Sequence, residues 1–595
     1  MASARLAVET LIGYGVKYVV LAPGSRSAPL AYALAEAESA DRIRVLIRTD
    51  ERVAGFTALG LALGSGAPAG IVTTSGTAVG NLLPAVMEAN HASVPLVVLS
   101  ADRPTELRGT GANQTTVQFD LFAEHARFAV DVAAGDSPVS AIRTALLAAK
   151  GELPGTPAGP VQVNLAFRDP LTPPLDGTDW AEQPATGFAD AAFPGGVQAD
   201  AASDDDADWR FEVLPYQPVG ECPGRAVVVA GHATSAEAGR EAEYFARVHG
   251  LPLLAEPSSN ARFGPNAVGP YRLLLAESGP EGLLAVDRVI VFGRPTLSRP
   301  VAALLARTDI PRALYVPRPV AWFDEGKRTE TVIDDWEELS LFAGRGEDGW
   351  LEAWQAAGAA AEGALAEVLG ASGLSGRAGL TEPQPLTGPA VARRVWAAHN
   401  GATGVSGAAL VLGSSNPIRD VDLAGQPVVS PEGTSPGNVY ANRGLAGIDG
   451  TISTATGVMF SSSTPTRVLL GDLTFLHDVG ALLTPPDEPD WPLQIVVLND
   501  SGGGIFSVLE HGQLGEKPRY AAAVERYFGT PHTVDIAHLA AAYGIAHRVV
   551  STGAELEDAL AEAITGRSII EVRTTRDTLR NLHARIKSSV NAALR

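Results

Sequence analysis

The chain has 595 residues, of which 46% are hydrophobic and 19% charged, with 63 Gly and 42 Pro; this globular, turn-rich composition excludes both a disordered polymer and a single compact core. A formal net charge of −22 repels phosphate backbones and anionic membranes, and no local basic stripe offsets it, so no nucleic acid and no membrane is expected as a partner. The one cysteine, Cys222, excludes an intrachain disulfide and any cysteine-rich metal or iron–sulfur site.

The start, MASARLAVETLIGYG, lacks an unbroken apolar segment, and no stretch reaches the ~18 apolar residues of a membrane span. A cytoplasmic location is the expectation. From Tyr18 to about Phe167, short β-branched runs alternate with Ala/Leu-rich helical runs: YVVLA then APLAYALAEA, RVLI then ERVAGFTALGLALG, GIVTT then TAVGNLLPAVMEA, and finally PLVVLS. Continuous apolar strands between amphipathic helices predict a doubly wound α/β architecture, a parallel sheet covered on both faces. In such sheets the loops leaving the carboxyl ends of strands line the ligand crevice. Here they are PGSRS (23–27), TDE (49–51), TSGT (74–77) and SADRP (100–104).

The stretch from Glu182 to Gly224 is rich in Pro, Gly and Ala, contains SDDDAD, and reads as a solvated linker without chemistry. A second α/β region runs from Arg225 to about Asp348 with strands AVVVAG, RVIVFG and ALYVP; the loop after RVIVFG holds Arg294 and Arg299. An Ala/Glu-rich helix from Trp350 to about Leu369 and the Pro/Gly stretch 370–388 lead to the last region, Pro389 to Arg595. That region repeats the first pattern, with strands AALVLG, RVLLGD, QIVVLND and SIIEVR and strand-end loops GSSNPIR, ANRG, GDLT and NDSGGG. Two similar sheets with facing crevices could hold one long cofactor.

The strongest single signal is LLGD (469–472) followed by VVLNDSGGG (496–504), with Asp472 and Asn499 each at the end of an apolar strand. A divalent cation holding a diphosphate needs oxygen ligands from adjacent strand ends, with free backbone N–H groups nearby for the phosphate. The competing reading is a pair of ordinary strand-to-helix turns. Glu51, in IRTDERVAGF, also has a competing structural reading, because acids favour the first turn of a helix. No H-E-x-x-H pair and no P-loop is present, and the 11 histidines are scattered.

The two motifs together resemble the metal and diphosphate signature of thiamine diphosphate enzymes. Two departures stand out: Leu473 follows the Asp where many relatives have Gly, and Asp500 replaces the second Asn. The blocks PGSRSAPL, DERVAGFTALGLA, TSGTAVGNLLPAVMEA, LSADRPTELRGTGANQT, GSSNPIRD, NRGLAGIDGTISTATG and GDLTFLHD are similar, more narrowly, to the 2-succinyl-5-enolpyruvyl-6-hydroxy-3-cyclohexene-1-carboxylate synthase family of menaquinone biosynthesis. The resemblance implies three domains, a pyrimidine-binding domain (1–182), a central α/β domain (225–348) and a diphosphate-binding domain (389–595), joined by a linker (183–224) and by a helix and linker (349–388).

It also implies a reaction, a carboligase-type transfer in which 2-oxoglutarate loses carbon dioxide and its succinic-semialdehyde unit adds to isochorismate. The implied cofactors are thiamine diphosphate and Mg2+ (or Mn2+), and the implied assembly is a homodimer at minimum, with a homotetramer expected. Glu51 would hydrogen-bond the aminopyrimidine ring, facing the diphosphate site of a partner subunit. Ser75, Gly76, Thr77, Gly471, Asp472, Leu473, Thr474, Asn499, Gly502, Gly503, Ile505 and Phe506 would line the cofactor, the last two by shaping the thiazolium pocket unless they are ordinary core. The metal would take Asp472, Asp500 or Asn499, and a carbonyl near Gly502. Substrates that are dicarboxylates call for arginine forks in so acidic a molecule. The implied set is Ser25, Arg26, Arg103, Gln114, Arg299, Ser415, Arg419 and Arg443, with Arg26, Gln114 and Arg419 beside Glu51 as the catalytic group. Arg299 departs from some relatives in being followed by Pro300 rather than a second basic residue. A pyruvate-using carboligase like acetohydroxyacid synthase, a non-catalytic protein of the same fold and a dinucleotide oxidoreductase are the competing classes.

Overall fold

The structure is a computed structural model that describes residues 1–174, 223–277, 285–370, 386–401, 408–428, 438–488 and 491–595. Cys222, the acidic stretch read as a linker (apart from 223–224) and most of the Pro/Gly stretch 370–388 lie outside the described residues.

Six strands make the first sheet: β1 Tyr18–Leu21, β2 Arg44–Ile47, β3 Ala69–Thr73, β4 Leu96–Asp102, β5 Ala129–Val132 and β6 Val161–Ala166. They lie in the order β2-β1-β3-β4-β6-β5, every neighbouring pair parallel. Every residue of β3, β4 and β6 is buried, which is why these strands read as unbroken apolar runs. One boundary differs from expectation. Ser100–Asp102, read as loop, continue β4, because they pair with Asn164–Ala166 of β6 and Ser100 Oγ donates to Asn164 Oδ1 at 2.9 Å.

Two residues of β7 (Pro223–Gly224) pair with β13 (Arg345–Gly346), beside a five-stranded parallel sheet. That sheet comprises β8 Ala226–Ala230, β9 Leu253–Ala255, β10 Arg288–Phe292, β11 Arg312–Tyr315 and β12 Thr331–Ile333, in the order β12-β11-β10-β8-β9. The third sheet has β14 Ala409–Leu412, β15 Val439–Tyr440, β16 Thr466–Gly471, β17 Leu493–Asn499, β18 Ala546–Val550 and β19 Ser568–Arg573. Its order, β15-β14-β16-β17-β19-β18, is that of the first sheet strand for strand. The two outer sheets are thus one topology used twice.

Helices Glu51–Ser65 and Thr451–Ser462 join them. Both are buried on nearly all sides, the pattern of a helix inside a core rather than on a surface. They approach closely because glycines face backbone: a Cβ on Gly60 would lie 2.0 Å from the Thr454 carbonyl oxygen, and one on Gly457 2.1 Å from that of Thr57. At Gly450, φ is +59° and a Cβ would strike the Phe56 ring. No helix of the described residues is long and apolar enough to cross a membrane.

Candidate active site

In the first sheet the loops after β1, β3 and β4 converge. A Cβ on Gly24 would lie 2.3 Å from Thr74 Cβ, so the PGSRS and TSGT turns lie against each other. Ser75 is fully buried; its Oγ donates to the Gln114 carbonyl at 3.0 Å, and Gln114 Nε2 donates back to the Ser75 carbonyl at 2.9 Å. Gly76 has φ +80° and a Cβ there would meet Gln114 Cγ at 2.9 Å, while its N–H donates to Gln118 Oε1 at 3.0 Å. Thr77 opens the next helix and, like Ser25 and Gln114, is exposed.

Arg103 Nη1 donates to Ser75 Oγ and, at 2.7 Å, to the Gln114 carbonyl. Burial lowers the Arg103 pKa, and the neighbouring charge of Arg26 lowers it further. Arg26 Nη1 donates to the Phe167 carbonyl at 3.0 Å, while its Nε is buried without a partner among the described residues. Two guanidinium groups that repel one another, satisfied mainly by neutral carbonyls, form a site for an anion.

Glu51 is the first residue of its helix, whose N-cap is Asp50; the Asp50 side chain accepts from Arg52 N and Val53 N. The cap therefore falls to Asp50, and Glu51, partly exposed, accepts from Asn81 Nδ2 at 3.2 Å.

The third sheet brings Asp472 and Asp500 together at the ends of β16 and β17. Asp472, only 2% exposed, follows Gly471 and accepts from Leu473 N at 2.6 Å and Gly502 N at 2.9 Å. Burial pushes the Asp500 carboxyl up to about 7, with repulsion from Asp472 adding to the effect. Its Oδ1 is buried and has no partner among the described residues. Asn499, the alternative ligand, is otherwise engaged: Nδ2 donates to Glu571 at 2.9 Å and Oδ1 accepts from Ser501 N. Two adjacent carboxylates with an orphaned oxygen fit a hard divalent cation.

The Gly502 carbonyl accepts from Gly504 N at 3.1 Å and keeps a second lone pair. A Cβ on Gly504 would fall 2.2 Å from Asp500 Oδ2, and one on Gly503 2.6 Å from the Phe528 carbonyl, so the close packing of this turn admits only glycine. Thr474 is buried in the helix that Asp472 begins. Ile505 and Phe506 are half-buried, and the Phe506 ring packs on that of Phe528 with centroids 5.5 Å apart.

Arg419 and Arg443 are neighbours, each with its pKa lowered first by burial; the Arg419 charge further lowers that of Arg443. Arg443 is 2% exposed, donates through Nη2 to Thr296 Oγ1 at 2.6 Å, and keeps a buried Nε without a partner among the described residues. Arg419 lies on helix Asn416–Ala424 rather than in a loop and donates to the carbonyl of Ser415, whose φ is +75°. Arg299 differs. It begins helix Arg299–Leu305, is 73% exposed in its side chain, and pairs with Glu510 at 2.7 Å.

Four groups at the site carried no motif signal. His532 Nε2 faces Asp472 at 3.1 Å, and Val534 N donates to Nδ1, leaving Nε2 as the protonated nitrogen. His232, held neutral by burial and by Arg443 and Arg294, has its pKa pushed down to about 3. Glu256 sits near Arg443, and Glu88 reaches the ANRG loop from the first sheet.

Comparison with known proteins matches residues 1–123 to the thiamine pyrophosphate enzyme N-terminal TPP binding domain and residues 427–572 to the C-terminal TPP binding domain. The chain is 58% identical over 593 residues to the 2-succinyl-5-enolpyruvyl-6-hydroxy-3-cyclohexene-1-carboxylate synthase of Arthrobacter sp. (strain FB24), covering 100% of this chain and 92% of that one. It is 57% identical to the synthase of the same name from Renibacterium salmoninarum, covering 100% and 98%. Benzoylformate decarboxylase from Polynucleobacter necessarius shares the fold, with a TM-score of 0.61 at 15% identity over 97% of this chain and 99% of that one.

Proposed function

The chain belongs to the 2-succinyl-5-enolpyruvyl-6-hydroxy-3-cyclohexene-1-carboxylate synthase family of thiamine diphosphate enzymes, and we infer from that membership that it decarboxylates 2-oxoglutarate and adds the remaining four-carbon unit to isochorismate in menaquinone biosynthesis. It is a thiamine diphosphate-dependent transferase. The observation that carries the placement of its site is the pair Asp472 and Asp500, with Asp500 Oδ1 buried and unpartnered among the described residues.

In this reading Asp472, Asp500 and the Gly502 carbonyl hold Mg2+ (or Mn2+), and Asn499 supports the turn through Glu571 and Ser501. Gly502 and Gly503 border the diphosphate, flanked by Gly471, Leu473 and Thr474, with the Gly502 N–H bonded to Asp472 and the Gly503 N–H to the Gly529 carbonyl so that the turn keeps its shape. When bound, thiamine diphosphate supplies the nucleophilic carbon and the electron sink for decarboxylation. Glu51 holds a proton at a ring nitrogen of the aminopyrimidine, and Ser75, Gly76 and Thr77 close that end. Ile505 and Phe506 give the ring its apolar wall.

Arg26 and Arg103 on one side and Arg419 and Arg443 on the other bind the substrate carboxylates, helped by Ser25, Gln114 and Ser415. Buried guanidinium groups without a carboxylate of their own are prepared to accept one, and holding two polyanions in register contributes to the rate. Arg299 joins them by exchanging Glu510 for substrate. The assembly is a homodimer at least, extended to a tetramer, with each site shared between two chains. Support comes from Val117, Phe119 and Leu121, exposed beside Gln114. A cytoplasmic location completes the reading.

The test is to incubate the purified chain with thiamine diphosphate, Mg2+, 2-oxoglutarate and isochorismate and follow both substrates. Equimolar loss of the two is expected. Consumption of 2-oxoglutarate with isochorismate untouched, or faster turnover of pyruvate, would favour the acetohydroxyacid-synthase-like alternative.

A further inference from the structure

Helix Leu83–Ala92 packs Ala85, Val86 and Ala89 into the first core, yet it also carries a carboxylate, Glu88, that is only 4% exposed. Burying a charge among apolar side chains is costly unless it is hydrogen-bonded. Glu88 meets that condition across the molecule. Its Oε1 accepts from Gly444 N at 2.6 Å and its Oε2 from Leu445 N at 2.7 Å, in the loop that follows β15. Gly444 permits the approach, since a Cβ there would lie 2.4 Å from the Glu88 carbonyl oxygen.

The peptide clamped in this way is the one next to Arg443. Thr296, from the middle region, takes one end of the Arg443 guanidinium, and Arg294 Nη1 donates to the Gly444 carbonyl at 2.5 Å. No carboxylate lies within ion-pair distance of Arg443 among the described residues. Its backbone is thus fixed by a carboxylate from helix Leu83–Ala92 and its side chain by the Thr296 hydroxyl of the middle region, while the buried Nε remains without a partner among the described residues.

We propose that Glu88 is a positioning residue, which holds the Gly444–Leu445 backbone so that the Arg443 guanidinium is aimed at a substrate carboxylate. The inference rests on the reading of Arg443 as a substrate arginine. A buried apolar residue at position 88 would serve packing equally well; only a two-oxygen acceptor fixes two consecutive N–H groups.

The experiment compares Glu88→Gln, Arg443→Ala and the double variant as holoenzymes, measuring KM for both substrates, kcat, thermal midpoint and thiamine diphosphate affinity. Arg443→Ala should raise KM for one dicarboxylate on the order of 100-fold. Glu88→Gln, which keeps the shape and one acceptor oxygen, should raise the same KM roughly tenfold with kcat and cofactor affinity unchanged. The double variant should match Arg443→Ala within about twofold, because the clamp acts only through that arginine. If Glu88→Gln lowers the thermal midpoint or kcat but leaves KM alone, or if the two effects multiply, Glu88 is merely structural and the proposal is overturned. An Arg443→Ala enzyme with unchanged KM for both substrates overturns instead the reading of Arg443, and the proposal with it.

Discussion

Glu256 shows at the residue scale how the site stores charge. Its Oε1 accepts from Thr296 N at 2.8 Å and Leu297 N at 2.9 Å, whereas Oε2 is buried without a partner among the described residues. Burial pushes its carboxyl up to about 7; repulsion from Asp422 adds to this, and the two N–H groups and Arg443 oppose it. A folded pKa above the unfolded one means that the folded state holds the proton more tightly. Stability from this group is therefore complete below about 4.5 and is lost as pH rises through about 7. In Glu256→Gln the amide oxygen keeps both N–H donors and no charge develops, so the variant should gain on the parent by up to ~1.4 kcal/mol per pH unit between these values. Urea unfolding at several pH values reads this directly, and parallel curves would sink the argument. The role proposed for Glu51 makes a catalytic prediction at the same scale. Glu51→Gln should cut turnover by at least ~100-fold while thiamine diphosphate titrates normally. Arg419→Ala should weaken substrate binding by ~2 to 5 kcal/mol, the cost of leaving a buried charge unpaired. Glu51, Asp472 and the arginines were singled out in the sequence as candidates because their motifs are contiguous in the chain. Glu88, His532 and Glu256 were not, because each acquires its role from a contact made only on folding, with partners 40 to 357 residues away.

Between elements, the tightest joint is the crossing of helices Glu51–Ser65 and Thr451–Ser462. Adding a methyl at Gly60 would place it 2.0 Å from a backbone oxygen that cannot rotate aside, so the helices must separate. Gly60→Ala should lose ~1 to 3 kcal/mol or more by overpacking, and it should lose activity as well, since Glu51 is carried on the displaced helix. Gly363→Ala is the matched control. Gly363 lies in helix Trp350–Gly370 and a Cβ would meet nothing within 4 Å, so the change should stabilise by about 0.5 to 1 kcal/mol. Denaturant midpoints of the two variants measure the contrast, and equal midpoints would refute it. Central strands such as β3, β4 and β17 could be read in advance because burial on both faces demands unbroken apolar residues. By contrast, β5 (AVDV) and β18 (AHRVV) sit at sheet edges with exposed positions, so their sequences lack that run. The strand β15 is only two residues long and left no pattern to find.

At the scale of the whole molecule, the repeated strand order gives each chain two crevices in matching topological positions, one beside Glu51 and one beside Asp472, and the question is how they combine. Within one chain, the start of the Glu51 helix lies against the segment after Asp472: Arg52 Nη2 donates to the His477 carbonyl at 2.7 Å, and a Cβ on Gly480 would meet Val53. Asp472 itself is turned to Gly502 and His532. A complete site under the shared-subunit reading takes Glu51 from one protomer and Asp472 with Asp500 from its partner. Complementation separates this from a site built inside one chain. Glu51→Gln and Asp472→Asn proteins are each expected to be inactive alone. After the two are unfolded together, or dissociated and mixed, half of the dimers carry one of each. In such a dimer one site collects both defects and the other collects none. Random reassociation should therefore restore roughly a quarter of parental activity, as the symmetry of a two-fold dimer requires. A site confined to one chain gives no recovery at any mixing ratio, because every site then retains its own substitution.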